Sequence, residues 1–291
     1  MAHYIRRLAA ITNLISMKSH VQESLALFTT RLLSNSCSRY HCSSCSSDQN
    51  GSGFVSIKPE DDAGIVHQEF QKWNNGGGTF HKSACVDPTV HIEFGAVVHS
   101  ESVLGANVHV GSGAIIGPAV TIGQSTRIGY NVVLSNCTIG DSCVFHNGVC
   151  IGQDGFGFFV DECGDMVKKP QILKARVGNH VEIGANTCMD RGSWRDTVVG
   201  DYTKIDNLVQ IGHNVVIGKS CMLCGQVGIA GSVTIGDYVT LGGRVAVRDH
   251  VSIVSKVRLA ANSSVTKDIS EPGDYGGFPA VRMLLCSSIF T

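Results

Sequence analysis

Charge is scarce in this 291-residue chain: Asp, Glu, Lys and Arg make up only 16% of it, and the formal net charge is −1. A nucleic-acid binder built on bulk charge is thereby excluded, because phosphate contacts need clustered Lys and Arg. Long apolar runs are missing too. No stretch reaches the roughly 18 apolar residues that mark a membrane-spanning helix. Six prolines, two tryptophans and an aromatic share of 7% set the chain apart from an ordinary mixed globule, whereas glycine is abundant, at 34 residues.

Acids are nearly absent from the first 47 residues. There Arg6, Arg7, Lys18, Arg31 and Arg39 face a single carboxylate, Glu23, among many serines. Ile5, Leu8, Ile11 and Ile15 fall at helical spacing, so a basic amphipathic helix is expected, the composition of an organelle transit peptide. Polar residues interrupt every candidate apolar core of a secretory signal. Residues 1–47 are therefore assigned to a transit peptide, mitochondrial first and plastid second. The twelve cysteines do not form the disulfide framework of a small secreted domain. Cys42-Ser-Ser-Cys45 lies in the leader, and Cys221-Met-Leu-Cys224 has no second pair at zinc-ribbon spacing. Cysteine serves here as a small apolar filler, and no metal or cofactor is expected.

What is present is a repeat. Apolar residues recur every six positions at Ile211, Ile217, Leu223, Ile229, Ile235, Leu241, Val247, Ile253, Leu259 and Val265. Two residues before each of the first nine stands a valine, or Cys221 in one case. The same phase runs from Val86 to Leu134 and, after a slip of one residue, resumes at Ile139, Phe145 and Ile151. Six is not a multiple of 3.6, so a helix is excluded. Short strands with tight corners fit: each hexad is one face of a parallel β-solenoid, and Gly or Asn is expected to turn the corners. Three faces close an 18-residue coil, and coils should stack at the ~4.7–4.9 Å of hydrogen-bonded strands. The solenoid is assigned to residues 81–270. Two insertions break it: a loop over 152–176, and four extra residues around "RGSWRD". Loops held by a rigid scaffold are where recognition concentrates.

An 18-residue coil places His213, Gly231 and Asp249 in one column, and Asn214, Ser232 and His250 in the next. One corner thus carries an imidazole, a glycine amide, a hydroxyl and a second imidazole. This set suits acyl transfer. A neutral imidazole accepts a proton near physiological pH, and a glycine N–H approaches a carbonyl oxygen as it gains charge.

The stretches "GQDGFGF", "VKKPQ", "VEIGANTCMDRG", "KIDNLVQIGHNVVIG", "IAGSVTIGDY" and "ISEPGDYGGFP" resemble the UDP-3-O-acylglucosamine N-acyltransferases of lipid A biosynthesis, from about His81 to Pro279. The resemblance implies a left-handed parallel β-helix and a homotrimer with active sites in the clefts between subunits. The implied reaction moves an acyl chain from acyl carrier protein to the 2-amino group of UDP-3-O-acylglucosamine, without a cofactor. On matching positions His213 is the general base, Gly231 the oxyanion donor, and His250 a second active-site histidine that aids binding or protonation. Asn214 and Ser232 would touch substrate or thioester. Asp206 and Gln210 would line the acyl or sugar pocket, and Phe156, Gly157 and Phe158 would reach the neighbouring subunit's nucleotide sugar. Lys168 would meet a phosphate or remain a solvated lysine. The other histidines, His91 and His109 among them, are assigned to the surface or to corners.

Both ends depart from the bacterial pattern. Residues 48–80 are too few for the uridine-binding domain that precedes the bacterial helix, and "NNGGGTF" suggests a flexible joint. Residues 271–291 form a short tail in place of a helical extension, leaving the last coil's edge in need of a cover. Val and Ala side chains between Val257 and Val265 are candidates for the wall of an acyl slot. Three other functions remain: an O-acyltransferase acting on UDP-N-acetylglucosamine, whose family carries Asp where this chain has Asn214; a zinc γ-carbonic anhydrase; and a non-catalytic scaffold, since fold does not fix function. The residues five on from His213 and His250, Gly218 and Ser255, do not supply the carbonic anhydrase's paired imidazoles.

Overall fold

Residues 69–283 are described by a computed structural model of the chain; the leader 1–47, the segment 48–68 and the tail from 284 onward lie outside the described residues. Three parallel sheets of eleven, eleven and nine strands wind round one another as the faces of a solenoid. Most strands are two or three residues long. The first face carries Gln210–Ile211, Gly228–Ile229 and Ala246–Val247. Val216–Ile217, Thr234–Ile235 and Ser252–Ile253 lie on the second. Lys204–Ile205, Met222–Leu223 and Thr240–Leu241 lie on the third. Register partners stand 18 residues apart, as in Gln210↔Gly228↔Ala246. Among the described residues no helix is long and apolar enough to cross a membrane.

The six-residue marker is the core. All ten residues from Ile211 to Val265 are at most 3% exposed, and the residues two before them at most 4%. Cys221 takes one of those inner positions, where burial pushes its thiol up; this is filler chemistry. Val257 and Val265 also point inward, at 0% and 1% exposure, so they cannot wall a surface slot. The exposed small residues of that coil are Ala260 and Ala261.

The corners are turned differently from the expectation. Most residues with positive φ are not glycine: Asn214, Ser232 and His250, for example, sit at 62°, 64° and 59°. Glycine instead follows the marker, where coils approach most closely. A Cβ on Gly212, Gly218, Gly236 or Gly242 would lie 2.4–2.9 Å from atoms of the next coil. Those glycines keep the strand spacing rather than supply a left-handed bend.

The ends are ordered where the sequence suggests slack. Phe70–Lys72 and Thr79–His81 form an antiparallel hairpin whose second strand starts the first face. "NNGGG" is its turn. Trp73 Nε1 and Asn75 Nδ2 donate to Val90 O at 2.8 and 3.0 Å, tying the turn to the first coil. At the other end Gly273–Gly276 extends the third face beyond 270, and Val281–Arg282 pairs antiparallel with it. That hairpin covers the edge.

If coil approach sets the glycine requirement, Gly218→Ala must push two coils apart and cost on the order of 1–3 kcal/mol, as overpacking does. Gly228→Ala meets nothing within 4 Å and should leave the denaturation midpoint unchanged or slightly raised. Guanidinium unfolding of the two variants side by side checks this; equal losses would contradict it.

Candidate active site

The corner between the first and second faces brings His213, Asn214, Gly231 and Ser232 together. Ser232 N donates to His213 O at 2.8 Å, and His250 N to Gly231 O at 3.1 Å, so the column expected from the 18-residue step is present. Gly231 lies directly against the imidazole: a Cβ there would stand 2.7 Å from Cε1 and 2.9 Å from Nε2 of His213. The Gly231 N–H meets no acceptor among the described residues. Gly155, at the root of the long inserted loop, packs on the other part of the ring, where a Cβ would fall 2.7–3.0 Å from Cβ, Cδ2 and Cγ. Two glycines therefore cradle one imidazole.

Asn214 is locked by the second insertion. Its Oδ1 accepts from the Ser193 and Trp194 backbone N–H groups at 2.7 and 3.3 Å. The amide nitrogen is thus turned toward His213 Nδ1, 2.8 Å away, and toward Ser193 Oγ at 3.0 Å. A neutral ring that accepts at Nδ1 carries its own proton on Nε2. Arg195 binds the carbonyls of Asn214 and Ser232 at 2.6 and 3.2 Å, and Trp194 Nε1 lies 3.4 Å from Ser232 Oγ. The short "RGSWRD" insertion is a clamp over two coils.

Below the imidazole lies a buried carboxylate, Asp190, held by Gln153 Nε2 at 2.9 Å and less closely by Gln210 Nε2 at 3.4 Å. Burial pushes its carboxyl above the ordinary value of 3.8, against the pull of Gln153, the His213 charge and Gln210. Gln210 is exposed on the first face and reaches the site through this contact. Asp206 is not at this corner. It stands one face away, between the third and first faces, where it lines open grooves of about 640 and 450 Å³. His250 shares the His213 corner but is exposed, two coils along.

The long loop carries its own hairpin, Phe158–Val160 against Met166–Lys168. Phe156 is 87% exposed and its ring lies 5.1 Å from Phe158. Gly157 O accepts from Lys169 N at 2.8 Å. Lys168 pairs with Asp154 inside the loop, so its charge has an internal partner. Gln153 Oε1 and Gln171 Oε1 are buried in this region without a donor.

Sequence reasoning passes over Gly155, Asp190, Ser193, Trp194 and Arg195. The signal for the last three was the break in period, which marks an insertion but not its partners.

This is the fold of the hexapeptide-repeat transferases, with a histidine corner suited to acyl transfer. Residues 196–231 match the bacterial transferase hexapeptide model of six repeats, and residues 69–156 match the GlmU-like C-terminal hexapeptide model. The chain is 65% identical over 217 residues to "Probable UDP-3-O-acylglucosamine N-acyltransferase 2, mitochondrial" of Arabidopsis thaliana, spanning 75% of this chain and 71% of that one. It is 53% identical over 145 residues to the UDP-3-O-acylglucosamine N-acyltransferase of Rhizobium meliloti, spanning 50% of this chain and 41% of that one. Among solved structures, LpxA of Acinetobacter baumannii superposes with a TM-score of 0.56 at 26% identity, covering 69% of this chain and 72% of that one. LpxA of Bacteroides fragilis gives 0.57 at 23%, a likeness of fold alone. The chain belongs to the UDP-3-O-acylglucosamine N-acyltransferase family and is an acyltransferase.

The Asp190 carboxyl makes a pH prediction. A carboxyl raised by folding contributes stability below its unfolded pKa and loses it as pH rises through the folded value. The melting midpoint of the wild type minus that of Asp190→Asn should therefore fall as pH climbs out of the acid range toward neutrality. A pH-independent difference would show that Asp190 titrates normally.

Proposed function

We propose that the protein transfers a fatty acyl chain from acyl carrier protein to the 2-amino group of UDP-3-O-acylglucosamine, in a lipid A-type biosynthetic sequence. The observation that carries this reading is the His213–Gly231 contact: a ring nitrogen and a peptide N–H without an acceptor lie side by side on one corner. In the reaction the neutral amine attacks the thioester carbonyl carbon. His213 accepts the proton that the amine sheds, the Gly231 N–H holds the oxygen as it gains charge, and the proton returns to the departing thiol. Preorganised donors of this kind contribute on the order of 10²–10³-fold to such steps.

Asn214 decides how His213 works. With Nδ1 accepting from the Asn214 amide, the resting neutral ring offers Nε2–H. Accepting a proton at Nε2 requires the other tautomer, with Nδ1–H facing an acceptor. Asn214 must then swing its oxygen round from the Ser193 and Trp194 amides, or the base step must wait until substrate loosens the clamp.

The assembly is a homotrimer of left-handed helices with its sites in the clefts between subunits. Within one chain, Asp206 lies a face away from His213 and the Phe156–Phe158 arm is exposed; a cleft shared by two subunits gives both a partner. His250, Ser232 and Gln210 would contact substrate, Lys168 and the loop aromatics the nucleotide, and the groove past Asp206 would take the acyl chain, whose burial contributes roughly 0.8 kcal/mol per methylene. The mitochondrial relative and the basic, serine-rich leader support import into mitochondria, with the plastid as second destination.

Purified protein supplied with acyl carrier protein thioester should acylate UDP-3-O-acylglucosamine, and His213→Ala should lower the rate by about 10²-fold or more, as loss of a general base does. Acylation of UDP-N-acetylglucosamine instead of the free amine would reassign the acceptor. Asn214→Asp separates the two roles of the ring. A carboxylate accepts from Nδ1–H and frees Nε2, so a base retains or gains kcat in this variant. A catalytic group working as an Nε2–H donor would lose it.

A further inference from the structure

We propose that His91, Glu93 and His109 form a site for a divalent transition-metal ion of the zinc class, at the N-terminal end of the solenoid and many coils from His213. One ligand atom from each of the three lies within 4.8 Å of the other two. His91 and His109 are register partners on the third face, with rings 5.1 Å apart, on the edge strand His91–Ile92 and its neighbour His109–Val110. Both sit on flat strand positions, not at corners.

The hydrogen bonds around the trio orient each ligand. Asn75 Nδ2 donates to Val90 O at 3.0 Å, so its Oδ1 is the atom facing His91 Nδ1, also at 3.0 Å. A carboxamide oxygen only accepts; Nδ1 of His91 therefore carries the proton, and Nε2 keeps its lone pair for a metal. Such an outer partner fixes both tautomer and ring orientation in metal sites. Glu93 is prepared the same way. Its Oε2 accepts from the Ser112 backbone N–H at 3.0 Å and the Ser112 hydroxyl at 2.7 Å. That leaves Oε1, which lies 3.0 Å from His109 Nε2.

Two imidazoles and one carboxylate are a common donor set for zinc, with bonds of about 2.0–2.2 Å and a water in the fourth position. A tetrahedron with such bonds has edges of roughly 3.3 Å, close to the Glu93–His109 separation. The ion replaces the proton shared by Nε2 and Oε1 and joins three pieces of chain: the hairpin turn through Asn75, the edge coil, and the coil above it. Its effect is to fasten the N-terminal end of the solenoid, where the edge coil pairs with the hairpin turn through Gly78 N to Ile92 O and Ile92 N to Asn75 O rather than with a further coil.

Tag-free full-length protein, freed of metal by chelation, is titrated with Co²⁺ as an optical probe and then with Zn²⁺. The expected result is one Co²⁺ per chain with the visible bands of a four-coordinate site, bleached by Zn²⁺, and a melting midpoint raised by either ion. His109→Gln and Glu93→Gln should abolish the bands. Asn75→Ala keeps all three ligands and should weaken Co²⁺ binding by about 10–100-fold, the usual effect of losing an outer partner. His213→Ala should bind as the wild type does. Absence of stoichiometric Co²⁺, or bands that persist in His109→Gln, would overturn the assignment. If His109→Gln does not fold, the Asn75→Ala affinity decides alone, and an unchanged value counts against the site.

Discussion

Every coil is fixed to the next by backbone hydrogen bonds at strand spacing, and the rest of the molecule follows from that spacing. Once residue n lies over residue n+18, a side chain on the regular repeat is positioned relative to its own coil and the ones above and below. His213 meets Gly231 because no other residue can occupy that place. The same closeness explains the glycines after each core marker, whose Cβ atoms would press into the next coil. A stack of this kind resists compression and extension alike, so small changes in side-chain volume are transmitted as changes in coil separation.

The His213 corner is assembled where the repeat is interrupted. The long loop begins with Gly155 against one part of the His213 ring, and the four-residue insertion sends Ser193 and Trp194 onto the Asn214 carboxamide. Neither insertion disturbs the core: Met189 still pairs with Ile211, at a separation of 22 instead of 18. The solenoid thus supplies precision, and the interruptions supply the contacts that hold the His213 corner. A repeat without insertions would have left the His213 ring free to turn.

How much of this was legible depends on whether the 18-residue period reached the residue in question. The core from Ile211 to Val265 and the column His213, Gly231, Asp249 follow from counting alone. Asp206 tests the limit, because six residues carry the chain across one whole face. It therefore belongs to the neighbouring corner, although it is only seven residues from His213. The contacts of Asn214 with Ser193 and Trp194 cross an insertion, and no period relates those positions. Composition misleads at the N-terminal hairpin. "NNGGG" has the make-up of a loose joint, yet Asn75 and Trp73 both find Val90 O, and Gly76 fits where a Cβ would stand 2.3 Å from Ile92 O.

The corner chemistry also explains why an imidazole suits that position. On the corner joining the second and third faces, Lys219 N and Asp237 N each take a side-chain acceptor from the following coil, Asp237 Oδ1 and Ser255 Oγ, both at 2.9 Å. Gly231 has no side chain with which to serve His213 in that way, and Asp249 turns to Arg248 rather than to Gly231. The peptide N–H is left facing outward beside the ring. Glycine opens the space that the imidazole fills, and the Gly231 N–H keeps no acceptor because Asp249, the residue placed to serve it from the following coil, pairs with Arg248. Any larger residue at 231 would displace the ring from the N–H it stands beside, so the proposed base and the proposed oxyanion donor both depend on one missing Cβ.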